Sequence, residues 1–158
     1  MIDDSFFLTV AGIAMSFVGF TGLMNAFRRG GDAWAPMDLY QMRIIVAYAI
    51  ATLFGSLSTV PFVGLFGLRA GLQWLGLMML VVSVAIGIGN MLSDIRGAHG
   101  VVLRTRVRLV FTTITILGNL AFIATAATGV VELYQLALIL TLAMPAGTFV
   151  YVVMRINR

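Results

Sequence analysis

Residues 109–154 read LVFTTITILGNLAFIATAATGVVELYQLALILTLAMPAGTFVYVVM, 46 residues in which Glu132 is the single charge. At about 1.5 Å of rise per residue, one helix of this length would far exceed the roughly 30 Å hydrocarbon layer of a bilayer. The run must fold back, and Gly129–Glu132 is where glycine and charge permit it. Two spans are predicted, over 109–131 and 133–154, joined by a tight turn. The same length and apolarity recur over 6–27, 44–68 and 71–92. None of the five stretches carries an interior Asp, Glu, Lys, Arg or His.

Composition agrees. Of 158 residues 61% are hydrophobic and 10% charged, against about 25% charged in soluble domains. The mean hydropathy is +1.05. Such a chain lacks the polar surface that water would require, and a bilayer is its expected solvent.

The ten cations are all arginine, and their placement orients the chain. With five spans, Arg28, Arg29, Arg43, Arg96, Arg104, Arg106, Arg108, Arg155 and Arg158 fall on one face and Arg69 alone on the other. Positive charge accumulates in cytoplasmic loops, so the N-terminus is expected outside and the C-terminus inside. A four-span reading would place both termini on one face and spoil the asymmetry. The expected fold is all-α and polytopic: one transmembrane domain over 1–158, an N-terminal helix followed by two helical hairpins, in a bacterial cytoplasmic membrane. The first stretch reads as a span rather than a signal peptide, because its leading flank, Met1-Ile2-Asp3-Asp4, is acidic where a signal peptide is basic. Further on, Trp34-Ala-Pro36-Met-Asp38 reads as a helix start, with proline in the first turn and an acid near the positive end of the dipole.

The net charge of +4 does not point to nucleic acid, because the arginines sit beside span ends. There they satisfy topology, and Arg28, Arg29, Arg43, Arg104, Arg106 and Arg108 are candidates to contact anionic headgroups on the inner face. With no cysteine, disulfides, thiolate metal sites and iron–sulfur clusters are excluded. His99, the single histidine, lies in the basic stretch 93–108, outside any span. No cofactor or metal is expected. No nucleophile, metal-ligand or phosphate-loop pattern emerges, so an enzyme is the least favoured class. Glu132 reads as hairpin punctuation, and the lack of an ionisable group within a span weighs against a proton-coupled pump.

What remains is helix packing and a few polar positions. In lipid, helices associate through close packing and interhelical hydrogen bonds. Small residues at helical spacing therefore mark candidate packing faces: Gly12, Ser16, Gly19 and Ala26 in the first span, and Ala47, Ala51, Gly55 and Thr59 in the second. Either stripe can serve the subunit's own core or an oligomer contact. Pro61 and Pro145 each remove an amide within a span, leaving the carbonyls of Leu57 and Thr141 without their usual donors, and are candidate kinks. Thr112, Thr115 and Asn119 share one face of the fourth span. They can line a hydrated pathway in a ring of subunits, or Asn119 can act as interhelical glue to Thr141 or Thr148. The leading expectation is a non-enzymatic membrane subunit that packs into a homo- or hetero-oligomer. The alternatives are a homo-oligomeric channel lined by the polar face of the fourth span, and a small solute carrier bending at its prolines.

Overall fold

The computed structural model describes residues 4–27, 36–95 and 105–156, with side chains placed over 4–24, 39–93 and 108–152. These residues form α1 (Asp4–Phe27), α2 (Pro36–Leu57), α3 (Thr59–Phe66), α4 (Leu68–Ile95), α5 (Thr105–Thr128) and α6 (Val131–Ile156). The protein is all-helical, and five stretches are long and apolar enough to span a membrane, α2 and α3 together counting as one.

The prolines act differently. Pro61 has no amide to offer the Leu57 carbonyl, and α2 stops at Leu57 while α3 begins at Thr59. Backbone bonds bridge the break: Ser58 donates to Phe54 at 2.9 Å and Phe62 to Ser58 at 3.1 Å. The stretch expected as one helix over 44–68 is therefore two. Pro145, by contrast, sits fully buried inside an uninterrupted α6.

The two hairpins turn on glycines. Gly67 and Gly129 have φ of 80° and 69°, in the left-handed region that a Cβ disfavours. The turn expected over 67–71 is shorter than that, because Gly67 alone separates α3 from α4. The other residues of that stretch are already helical. Gly71 is needed instead for contact: a Cβ there would stand 2.8 Å from the Phe62 carbonyl oxygen. The turns also meet each other, since a Cβ on Gly129 would lie 2.7 Å from the Arg69 carbonyl oxygen.

Around the bundle, α1 packs on α2 and touches α6, α2 packs on α6, α6 on α5, and α5 on α4, while α3 lies against α4. The core gathers at the end of the bundle that holds the hairpin turns. Phe7, Leu72, Leu75, Met79, Phe122, Tyr134 and Leu138 form one buried cluster there. Tyr134, with no exposed surface, stands at its centre. Its ring meets Phe7 of α1 and Phe122 of α5, each at a centroid distance of 6.1 Å. Its hydroxyl donates to the Gly55 carbonyl of α2 at 2.8 Å. At the other end Phe149 of α6 packs edge-on against Phe20 of α1, with centroids 4.8 Å apart.

Buried threonines do little of the joining. Thr52, Thr59, Thr125, Thr141 and Thr148 each donate to the carbonyl four residues back, at 2.8 to 3.1 Å. A hydroxyl satisfied by its own helix packs much as an apolar group does. Helix contact then depends on how closely backbones approach, and Gly76 sets the closest approach of α4 to α5. A Cβ at Gly76 would fall 2.9 Å from the Ala126 amide nitrogen and 3.0 Å from the Phe122 carbonyl oxygen. Gly76→Leu is expected to destabilise the protein in mild detergent by about 1–3 kcal/mol, as overpacking does. Gly12→Leu, where nothing lies within 4 Å, should leave the thermal midpoint of the monomer unchanged. Equal midpoints for the two variants would refute the close α4–α5 contact.

Candidate functional site

The burial of α4 at the hairpin end is not continued along the rest of its described length. Along α4, Leu72, Leu75, Gly76, Met79 and Ser83 are buried at helical spacing, but no residue over 84–93 is. The inward face continues through Ile86, Gly87 and Asn90, which are only half-buried. Under this half of α4 lies a cavity of about 350 Å³. It is bounded by the beginning of α2 and α5 and the end of α4 and α6, the end of the bundle that carries Arg43 and Arg108.

Each helix contributes polar groups. From α2 come Tyr40, Gln41 and Tyr48, from α4 Asn90, from α5 Arg108, Thr112 and Thr115, and from α6 Thr148 and Tyr151. Counting along each helix, Tyr48, Gly87, Ile116 and Met144 are the lining residues nearest the middle of the bundle and form the cavity's floor. Tyr48 of α2 and Thr115 of α5 both line this floor. Thr115 donates to the Phe111 carbonyl at 2.9 Å and approaches the Met144 sulfur at 3.6 Å.

Two groups remain unmatched. Gln41 is 2% exposed, and its Oε1 has no hydrogen-bond partner. The terminal amide torsion is roughly two-fold, so a half-turn exchanges the acceptor and donor that Gln41 presents. Arg108 is exposed beside the cavity, and among the described residues no acidic one lines it. Among the described residues no group of three or more His, Cys, Asp or Glu is placed to hold a metal. The arrangement supplies hydrogen-bonding groups and one cation.

The residues singled out from sequence are distributed as follows. Thr112 and Thr115 line the cavity, whereas Asn119, one turn further on, does not. The Asn119 Oδ1 is buried without a partner, because Thr141 and Thr148 both donate to their own helix. Gly12, Ser16 and Gly19 face outward from α1, and the side chain of Ala26 lies outside the described residues. Ala51, Gly55 and Thr59 face inward, with Ala47 half-buried beside them. Of the arginines proposed for headgroups, Arg43 and Arg108 are exposed; the side chains of Arg28, Arg29, Arg104 and Arg106 lie outside the described residues, as does His99.

Sequence reading passed over Tyr40, Gln41, Tyr48, Asn90 and Tyr151. A signal existed in α2, where Tyr40, Gln41, Ile44 and Tyr48 fall within an arc of about 100° on a helix of 3.6 residues per turn. No protein-family model, curated protein sequence or solved structure matches this chain.

A buried polar atom without a partner costs about 1–3 kcal/mol. Asn119→Leu is therefore expected to raise stability in detergent by about 1 kcal/mol. A fall of similar size would show that the amide has a partner in the native protein.

Proposed function

We propose that the chain is a non-enzymatic integral-membrane subunit that assembles with copies of itself or with other membrane proteins. It crosses a bacterial cytoplasmic membrane five times, N-terminus outside and C-terminus inside. The observation that carries this reading is the outward face of α1. Thr9, Gly12, Ser16 and Gly19 form its centre, and all are exposed. A Cβ on Gly12, Gly19 or Gly22 would meet nothing within 4 Å. Larger exposed side chains flank this strip, Leu8 and Met15 on one side and Ile13 and Phe20 on the other. The result is a shallow channel running along the helix.

Small residues offer lipid tails little contact but let a second helix approach closely, which is the main source of association energy in a bilayer. The hydroxyls of Thr9 and Ser16 donate to Ser5 and Gly12 carbonyls within α1, so the strip presents no unpaired donor to lipid. The corresponding stripe of α2 is used within the subunit, where a Cβ on Gly55 would lie 2.8 Å from Met79. Conduction along α5 is a second reading, favoured by Thr112 and Thr115 on the cavity. It requires a path past Tyr48, Thr115 and Met144.

The absence of cysteine makes labelling direct. Ser16→Cys is expected to form cross-linked adducts larger than the monomer in membranes of producing cells. Gly12→Leu combined with Gly19→Leu should abolish the assembled fraction in mild detergent while helicity is kept. A parent protein that is monomeric at every concentration, with no adduct, would overturn the assembly reading. For topology, Arg69→Cys should react with a membrane-impermeant maleimide in intact cells and Arg43→Cys should not; the reverse pattern would invert the orientation.

A further inference from the structure

We propose that the cavity and an apolar groove beside it form one binding site for an anionic, hydroxyl-bearing lipid. The head, a phosphodiester bearing a glycerol-like polyol, enters between α2, α4, α5 and α6, and an acyl chain lies between α2 and α4. This site is separate from the α1 face and does not depend on assembly.

The groove lies beside the cavity's inner end. It has a volume of about 250 Å³ between α2 and α4, and Ile50, Phe54, Met78 and Val82 are among the side chains that line it. All four of these are exposed to the surroundings of the bundle. Groove and cavity adjoin: Ala47 and Ile86 line the groove, while their chain neighbours Tyr48 and Gly87 line the cavity. A polar chamber near the arginine-bearing end thus continues into an apolar trough towards the middle of the bundle. That is the distribution of polarity in a lipid, with its head at the interface and its tail in the hydrocarbon.

The lining selects the kind of head. Arg108 supplies a positive charge, and among the described residues no acid lines the cavity to attract a cation. An anion is therefore favoured over a quaternary ammonium or an amine, and guanidinium matches phosphate oxygens well. The buried Gln41 amide, whose Oε1 has no partner, presents an acceptor or, after a half-turn, a donor, and a phosphodiester bearing hydroxyls satisfies either while an apolar tail satisfies neither. Phenols at Tyr40 and Tyr151, with the amide of Asn90, add further hydrogen-bonding groups around the same space. The volume lies within the range of about 300–1,000 Å³ usual for ligand pockets, and it is far too narrow for a partner helix of about 10 Å diameter.

Gly87 gives the sharpest test. It is among the deepest residues of the cavity wall, and nothing lies within 4 Å of a Cβ built on it. Gly87→Leu therefore fills the chamber without a clash and raises helix propensity, while every arginine stays in place. The full chain, purified in a neutral maltoside detergent, is titrated with phosphatidylglycerol or phosphatidylcholine and read by native mass spectrometry and thermal shift. The parent is expected to retain phosphatidylglycerol and gain stability from it, and to do neither with phosphatidylcholine.

Gly87→Leu should weaken phosphatidylglycerol retention at least about tenfold, a loss equivalent to one decade of affinity. Arg108→Gln, at an exposed position, should weaken it about fivefold, as the loss of one interfacial cation does. Free glycerol phosphate should give no stabilisation, since it lacks the tail. Equal retention of both lipids by the parent, or undiminished binding by both variants, would overturn the proposal. Stabilisation by glycerol phosphate as large as that by the lipid would likewise overturn it, by making the occupant a soluble solute.

Discussion

The phenol of Tyr134 joins α6 to α2 across the middle of the buried cluster. Its ring is enclosed by Phe7 and Phe122, and its hydroxyl reaches the Gly55 carbonyl across the bundle. Interhelical hydrogen bonds of this sort are worth on average about 0.6 kcal/mol in a membrane. The bond alone therefore does not account for the bundle's stability. Its importance is geometric, because it sets α6 against α2 beside the break at Ser58, where Thr59 donates to the same Gly55 carbonyl. With that junction in place, Gly55, Gly71 and Gly76 bring α2, α3, α4 and α5 to close distance around it.

The opposite end has no such junction. Beyond Ser83 the helix α4 has no buried residue among those described, and the cavity lies against this half of it. Burial at one end and a cavity at the other are two results of one arrangement. The small residues that permit contact are concentrated where the core is, and Gly87 faces open space.

Much of the fold was legible in the sequence because the deciding quantities are one-dimensional. The length of 109–154 against the thickness of a bilayer requires a turn, and Gly129 is where it occurs. Pro61 lacks a donor whatever surrounds it, and the helix breaks there. Other features depend on neighbours that a sequence does not display. Gly12, Ser16 and Gly19 have nearly the same spacing as Ala51, Gly55 and Thr59, yet one set faces outward and the other inward. In a chain whose interior and surroundings are both apolar, periodicity does not distinguish the two. The cavity is harder still to read, since it combines four helices, and Tyr40 and Gln41 precede the apolar stretch that starts at 44. Thr112, Thr115 and Asn119 do share a face, but depth along α5 separates them, with the first two on the cavity and the third buried without a partner.

The threonines have a consequence for how the protein is made. A helix passing into a bilayer carries each unpaired donor into a medium that offers it nothing. Thr52, Thr125, Thr141 and Thr148 arrive with that requirement already met by their own backbone. These four hydroxyls accordingly need no acceptor from a neighbouring helix. Tyr134 is different, for its acceptor lies on a helix 79 positions earlier in the chain. Its hydroxyl is satisfied only when α6 meets α2, which makes that bond a mark of completed tertiary packing rather than of helix formation.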